Sequence, residues 1–157
     1  MTVETLRLRP ATMEDAKRLF DWRDDPETRF WSHNQGPLVW EDHLAWLERW
    51  LGAHDRVIFV GEAVRTDQPI GVVRFDELAD GTHEVGITVA PEFRGRGWAG
   101  KLLRAGLAHR EGQTVIAQVM SENRRSRSLF ASAGFRQVRE EDGVVHFRLD
   151  ARSGAAA

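Results

Sequence analysis

At 157 residues, with no Cys, no Tyr and 22 basic against 24 acidic side chains, the chain is one domain's worth of near-neutral polypeptide, long enough to bury a single core without staples. The lack of Cys excludes a disulfide framework, a thiolate metal site and a cysteine nucleophile. Residues 1–20 hold no apolar signal-like run, and no apolar stretch of 18 residues occurs anywhere. These absences predict a cytoplasmic domain with no membrane partner.

The alternation Leu6-Arg7-Leu8-Arg9 predicts a first strand, and Thr12, followed by Glu14 and Asp15, an N-capped helix running to about Asp24. Pro26 is expected to end that helix, leaving an irregular connection to Pro37. Trp40, Leu44, Leu47 and Leu51 recur at helical spacing and predict a second helix. The period then changes. Arg56–Val64, Ile70–Phe75 and Glu84–Val89, separated by Thr66-Asp67-Gln68-Pro69 and Asp80-Gly81, read as three consecutive antiparallel strands. After the turn Arg94-Gly95-Arg96-Gly97 come a helix from Trp98 to Arg110, a strand from Thr114 to Met120, and a helix from Asn123 to Ala133 stopped by Gly134. Two last strands, Phe135–Arg139 and Val144–Leu149, flank Glu141-Asp142-Gly143. The order βααβββαβαββ defines a mixed α/β domain over residues 1–150, not a doubly wound parallel sheet, with 151–157 as a flexible tail.

Charge is unevenly spread. Between Arg94 and Arg127 lie eight basic residues against two acidic ones, which points to an anionic ligand held by one segment or to the solvated faces of two helices. The glycine turn favours the ligand. Glycines just ahead of a helix let successive N–H groups converge where the helix N-terminus adds partial positive charge. The pattern lacks the Gly-Lys-Ser/Thr of a phosphate-binding loop, and no βαβ unit precedes it to make a dinucleotide fingerprint.

The segment Val89-Ala-Pro-Glu-Phe-Arg94-Gly-Arg-Gly97-Trp-Ala99 resembles the acetyl-CoA motif of the GNAT superfamily of N-acetyltransferases, Arg/Gln-x-x-Gly-x-Gly/Ala after a strand ending Val-x-Pro. Asn123-Arg-Arg-Ser126, continuing through Phe130 to Gly134-Phe135, resembles the family's second motif. The resemblance covers residues 5–149 and implies a central, mostly antiparallel sheet flanked by helices. It implies acetyl-CoA as cosubstrate, with no metal and a primary amine as acceptor, in a monomer or homodimer that takes no nucleic acid. Backbone of Ile87, Thr88 and Val89 would hold the pantetheine arm, with the Val89 N–H on the thioester carbonyl. The loop Arg94, Gly95, Arg96, Gly97, Trp98, Ala99 and Gly100 would hold the pyrophosphate, Lys101, Arg124, Arg125 and Arg127 would meet the nucleotide phosphates, and Asn123, Ser126 and Phe130 would flank the pantetheine or the departing sulfur.

Two departures stand out. Many members place a Tyr where Phe130 stands, as acid for the leaving thiolate; here solvent, Ser126 or Ser128 must serve. Relatives acting on protein N-termini carry a Glu where Gln118 stands. A base that frees the amine is then sought in Glu84, within Glu84-Val-Gly86, or in His83, which strand alternation sends to the other face; Asp76 and Glu77 are weaker candidates. Trp22, Trp40, Trp46 and Trp50 are expected in the core, while Trp31, beside Arg29, His33 and Asn34, is expected to wall the acceptor site. Asp21–Arg29 and Glu41–Trp46 resemble acetyltransferases of nucleotide-linked amino sugars such as those of the pseudaminic acid pathway, with peptide N-terminal acetylation and a non-catalytic acyl-CoA-binding module as alternatives.

Overall fold

Among the described residues seven strands form one sheet in the order β1-β2-β3-β4-β5-β7-β6: β1 Leu6–Pro10, β2 Arg56–Ala63, β3 Pro69–Glu77, β4 His83–Val89, β5 Val115–Met120, β6 Arg136–Glu141 and β7 Val144–Leu149. The computed structural model describes residues 5–33 and 35–151; of the expected tail only Ala151 falls among them, and Asn34 lies outside. Short connections make antiparallel neighbours. Between β6 and β7, Asp142 and Gly143 both take positive φ, 52° and 76°, closing Glu141 onto Val144, the geometry that Asp-Gly favours in a two-residue hairpin. Only β4 and β5 run parallel, because a helix joins them and returns the chain to the same end.

The helices are α1 Ala16–Asp24, α2 Pro26–Phe30, α3 Trp40–Gly52, α4 Trp98–Ala108 and α5 Arg124–Ser132. On one face of the sheet, Leu19 and Trp22 of α1 and Leu47 and Trp50 of α3 bury against Ile58, Val60 and Val72. On the other, Leu103 of α4 and Phe130 of α5 pack with Val73, Phe75, Val85 and Phe147. Gly106 lets α4 approach β3 closely, since a Cβ there would stand 2.9 Å from Val73 Cγ2. Trp22 and Trp50 are core as expected, with Trp40 and Trp46 packed against that core.

Three expectations are corrected. The first helix opens with a 3-10 turn, Met13–Asp15, in which Thr12 caps the Glu14 N–H and the Asp15 carboxylate accepts the Thr12 N–H at 2.9 Å. Pro26 begins a helix instead of leading into irregular chain. It occupies the first turn of α2, where a missing N–H costs nothing and a fixed φ helps, and the Asp25 carboxylate caps the Thr28 N–H at 3.1 Å. The last helix starts at Arg124, with Asn123 as its cap.

Candidate active site

The pairing of β4 with β5 ends after His83↔Val115 and Glu84↔Ile116, so the strands part and the outer edge of β4 opens. Backbone groups alternate between the two edges of a strand. The His83 N–H donates toward β5, to Thr114 O at 2.9 Å, and the Ala90 N–H toward β3, to Ile70 O at 2.8 Å. Ile87 and Val89 share the parity of His83, so their N–H groups face the opening. A cleft of about 1010 Å³ fills it, walled by β4, the glycine turn, α4, β5 and α5.

At one end the wall is main chain. Gly95 and Gly97 hold φ of 76° and 84°, and a Cβ on either would meet no atom within 4 Å, so bare backbone faces the cleft. Gly97 caps α4, whose first N–H groups have no partner within the helix and carry its positive end. Trp98, 2% exposed, anchors this turn in the core. Ala99, Gly100, Arg124 and Arg125 also line it. This donor set fits a pyrophosphate.

Four of the expected cationic contacts differ. The Lys101 ammonium lies over the Trp98 ring, 4.6 Å from its centroid, outside the cleft lining. Arg94 turns to α2, with Nη2 2.6 Å from Asp25 Oδ2 and 3.0 Å from Thr28 Oγ1, and Nη1 2.8 Å from Glu27 Oε2. Burial would raise the Asp25 carboxyl, but the hydrogen bonds from Arg94 and the Thr28 N–H hold it below its ordinary range. The Arg96 guanidinium lies over the Phe93 ring, 5.4 Å from its centroid, outside the cleft lining. Arg127 donates to Ser121 O at 2.8 Å and ties α5 to the end of β5.

Along α5, Ser128 and Ser132 stand on the cleft side with Arg125 and Leu129, as the i, i+3 and i+4 spacing requires. Asn123 and Ser126 line the cleft, and Asn123 Oδ1 accepts the Ser126 N–H at 3.2 Å. Phe130, where a Tyr was looked for, packs edge-on to Phe135 at 5.2 Å and beside Phe147 at 5.9 Å.

The other end of the cleft is built from side chains. Glu84 and Gly86 pair across β3 with Asp76 and Arg74, and residues directly opposite project to the same face. Glu84, Arg74, Gln118, Trp31 and His33 all line the cleft. His83 is turned to the opposite face, buried at 9% exposure, with Nε2 3.9 Å from Glu77 Oε1, and is not brought to the cleft. The alternation along β4 carries the reason: Val85 and Ile87 are apolar and pack in the core beneath α4, while Glu84, Gly86 and Thr88 share the other face. Arg29 also stays out, its Nε donating to Asp24 O at 3.1 Å.

Two arginines that the sequence reading did not single out complete this end. Arg74 lies flat against Gly86, where a Cβ would stand 2.6 Å from its Cζ. Burial lowers its pKa, while Glu84 and Asp76 oppose the shift. Arg23 of α1 stacks on Trp46, 3.8 Å from the ring centroid, and its Nη1 donates to His43 Nδ1 at 2.8 Å. His43 Nε2 lies 2.8 Å from Ala16 O, which fixes the neutral tautomer. Burial and the Arg23 charge push the His43 pKa down against that bond, and burial and the Arg74 charge push Arg23 down to about 10. The sequence held one signal for Arg74: it interrupts an apolar strand, two residues after Val72 on the same face.

The geometry agrees with known proteins. Residues 5–136 match the family model described as an acetyltransferase (GNAT) domain, and the chain belongs to that family, whose members use acetyl-CoA. Its fold is similar to that of a spermidine N-acetyltransferase from Vibrio cholerae solved with CoA and spermine, with TM-score 0.80 and 18% identity over 92% of this chain and 93% of that one. An acetyltransferase from Thermus thermophilus gives 0.79 and 21% over 95% and 99%, and a domain from Methanocaldococcus jannaschii gives 0.79 and 22% over 94% and 99%. No curated protein is similar enough in sequence to count as a match. Among the described residues no helix is long and apolar enough to cross a membrane, and no group of three His, Asp or Glu is placed to hold a metal ion.

Proposed function

We propose that the protein transfers the acetyl group of acetyl-CoA to a small primary amine by direct attack in a ternary complex. The observation that carries this reading is the opened edge of β4, with two inward N–H groups, running at one end into the bare glycine turn of α4 and at the other to Glu84. The Gly95–Gly97 turn and the α4 N-terminus hold the pyrophosphate, and β4 pairs with the amide-bearing pantetheine arm as with a strand.

Distance then selects the group that stabilises the developing oxyanion. At about 3.3 Å per residue, the Ile87 N–H lies about 10 Å along β4 from Glu84 and the Val89 N–H about 16 Å. Amine and thioester carbon must come within about 3–3.5 Å of each other. The Ile87 N–H therefore takes the oxyanion role that the resemblance gave to Val89, and Val89 holds the arm further out. Glu84 removes the ammonium proton, the amine nitrogen bonds to the carbonyl carbon, the C–S bond breaks, and the second proton lost by that nitrogen is relayed to the departing thiolate. A thiol of ordinary pKa near 8.5 is a good leaving group, so water or Ser128 suffices where no Tyr exists.

The test is calorimetric titration with acetyl-CoA and CoA, followed by amine-dependent thiol release. Micromolar binding with release that depends on added amine supports the reading. Binding without release on any amine would leave an acyl-CoA-binding module in its place.

A further inference from the structure

Beside Glu84 the cleft continues into a cavity of about 190 Å³ lined by Arg23, Trp46, Trp50, Arg74, Asp76, Glu84, Val85 and Gly86. The lining carries two guanidinium groups, Arg23 and Arg74, and two carboxylates, Asp76 and Glu84, and with Arg56, which holds Asp76, three positive charges face two negative ones. Asp76 accepts from Arg56 Nε at 3.2 Å, and among the described residues neither Arg23 nor Arg74 forms an ion pair with a carboxylate. Two guanidinium groups are thus held near each other at a partly buried site, one braced by His43 and Trp46, the other laid on Gly86. Like charges placed this way repel, and an anion between them relieves the cost. Arginine is also the side chain best shaped to grip an oxyanion with two parallel N–H groups.

We infer that this cavity is the acceptor's anion subsite, and that the amine acetylated here carries a single oxyanion group, a carboxylate or phosphonate, seated between Arg23 and Arg74 with its amine at Glu84. The inference rests on the acetyl-transfer reading and adds the substrate class. The tryptophans and the small volume admit one such group and the short chain that links it to the amine. A polycation is disfavoured there, because its second charge would meet Arg23 and Arg74 and find Asp76 already paired with Arg56.

The test compares matched amines in thiol release from acetyl-CoA: β-alanine against propylamine, 2-aminoethylphosphonate against both, with spermidine and a nucleotide-linked amino sugar as further arms. The acids should exceed propylamine in kcat/KM by at least 100-fold, chiefly through KM. That advantage should fall below 10-fold in Arg74→Met and in Gly86→Ala, where the new methyl displaces the guanidinium without removing its charge. Equal rates for acid and propylamine, or spermidine as the best acceptor, would overturn the inference and leave acetyl transfer standing. A nucleotide-linked sugar outrunning both acids would overturn it too, since a substituted diphosphate exceeds the cavity.

A second readout needs no turnover. Titrating β-alanine should change tryptophan fluorescence saturably, because Arg23 rests on Trp46 and Trp50 lines the cavity, and Arg23→Met should abolish the change. No saturable change in the wild type would overturn the subsite whatever the enzyme acetylates, whereas saturable binding with no thiol release on any amine would support the subsite and remove the acetyl-transfer reading.

Discussion

At the end proposed for the cofactor the cleft is lined by main chain from one continuous stretch, β4 through the glycine turn into α4, whereas the end proposed for the acceptor is assembled from side chains of α1, α3, β3 and β4. A site made of N–H groups depends on backbone conformation, and few substitutions retune it. A site made of Arg23, Arg74, Glu84 and Trp46 changes with any one of them. One scaffold can in this way keep a fixed donor and vary its acceptor.

The contrast can be broken first at its chemical end. Glu84→Gln should lower kcat by about 10²–10⁴-fold, the usual worth of a positioned base, while calorimetry finds acetyl-CoA binding within about threefold of wild type. Loss of binding together with turnover would mean the two ends are not separable. Gly97→Glu attacks the other end, forcing a side chain into positive φ and a carboxylate into the cradle. Acetyl-CoA affinity should fall by about 100-fold (about 2.7 kcal/mol), and saturating donor should restore most of kcat.

The glycine turn is also tied to α2 by the contact of Arg94 with Asp25. Asp25→Ala removes the cap of α2 and one of the two carboxylates on the part-buried Arg94 guanidinium, leaving Glu27, and should cost about 1–2 kcal/mol in urea unfolding. A change below about 0.3 kcal/mol would show that α2 is not fastened to the loop. The smallest effect is one of pH. Above pH 6.5 His43 is neutral in both folded and unfolded chains. As pH falls through 6.5 the unfolded chain binds the proton first, so stability declines until the folded ring also protonates at its lower pKa. The Asp15 and Asp25 carboxyls, held below their usual 3.8, add to the loss only at more acid pH. Urea midpoints between pH 8 and 5 should therefore slope downward, and His43→Gln should flatten the slope.

The same contrast explains what could be read from sequence. Gly95, Gly97 and Asn123 stand where the backbone demands a particular residue, so their spacing betrays both turns and caps. The element order was legible for a similar reason: hairpin residues and helical periods are local. Arg23 and Arg74 are 51 positions apart and line one cavity only through the packing of α1 on the sheet, which no local pattern records. Pro26 misled because a proline that stops one helix can equally start the next, and the Asp25 cap decides which. The choice between Glu84 and His83 was open in principle, since the apolar run Val85, Ile87, Val89 names the face that α4 covers.

Only two register pairs, His83↔Val115 and Glu84↔Ile116, stitch the β1–β4 half of the sheet to β5, β7 and β6. A pantetheine arm bonded along β4 would act as a temporary strand across that seam. Hydrogen exchange at the Ile87 and Val89 amides should then slow sharply when CoA is added. Donor at 100 times its dissociation constant should raise stability by about 2.7 kcal/mol, with the two halves of the sheet melting as one cooperative unit.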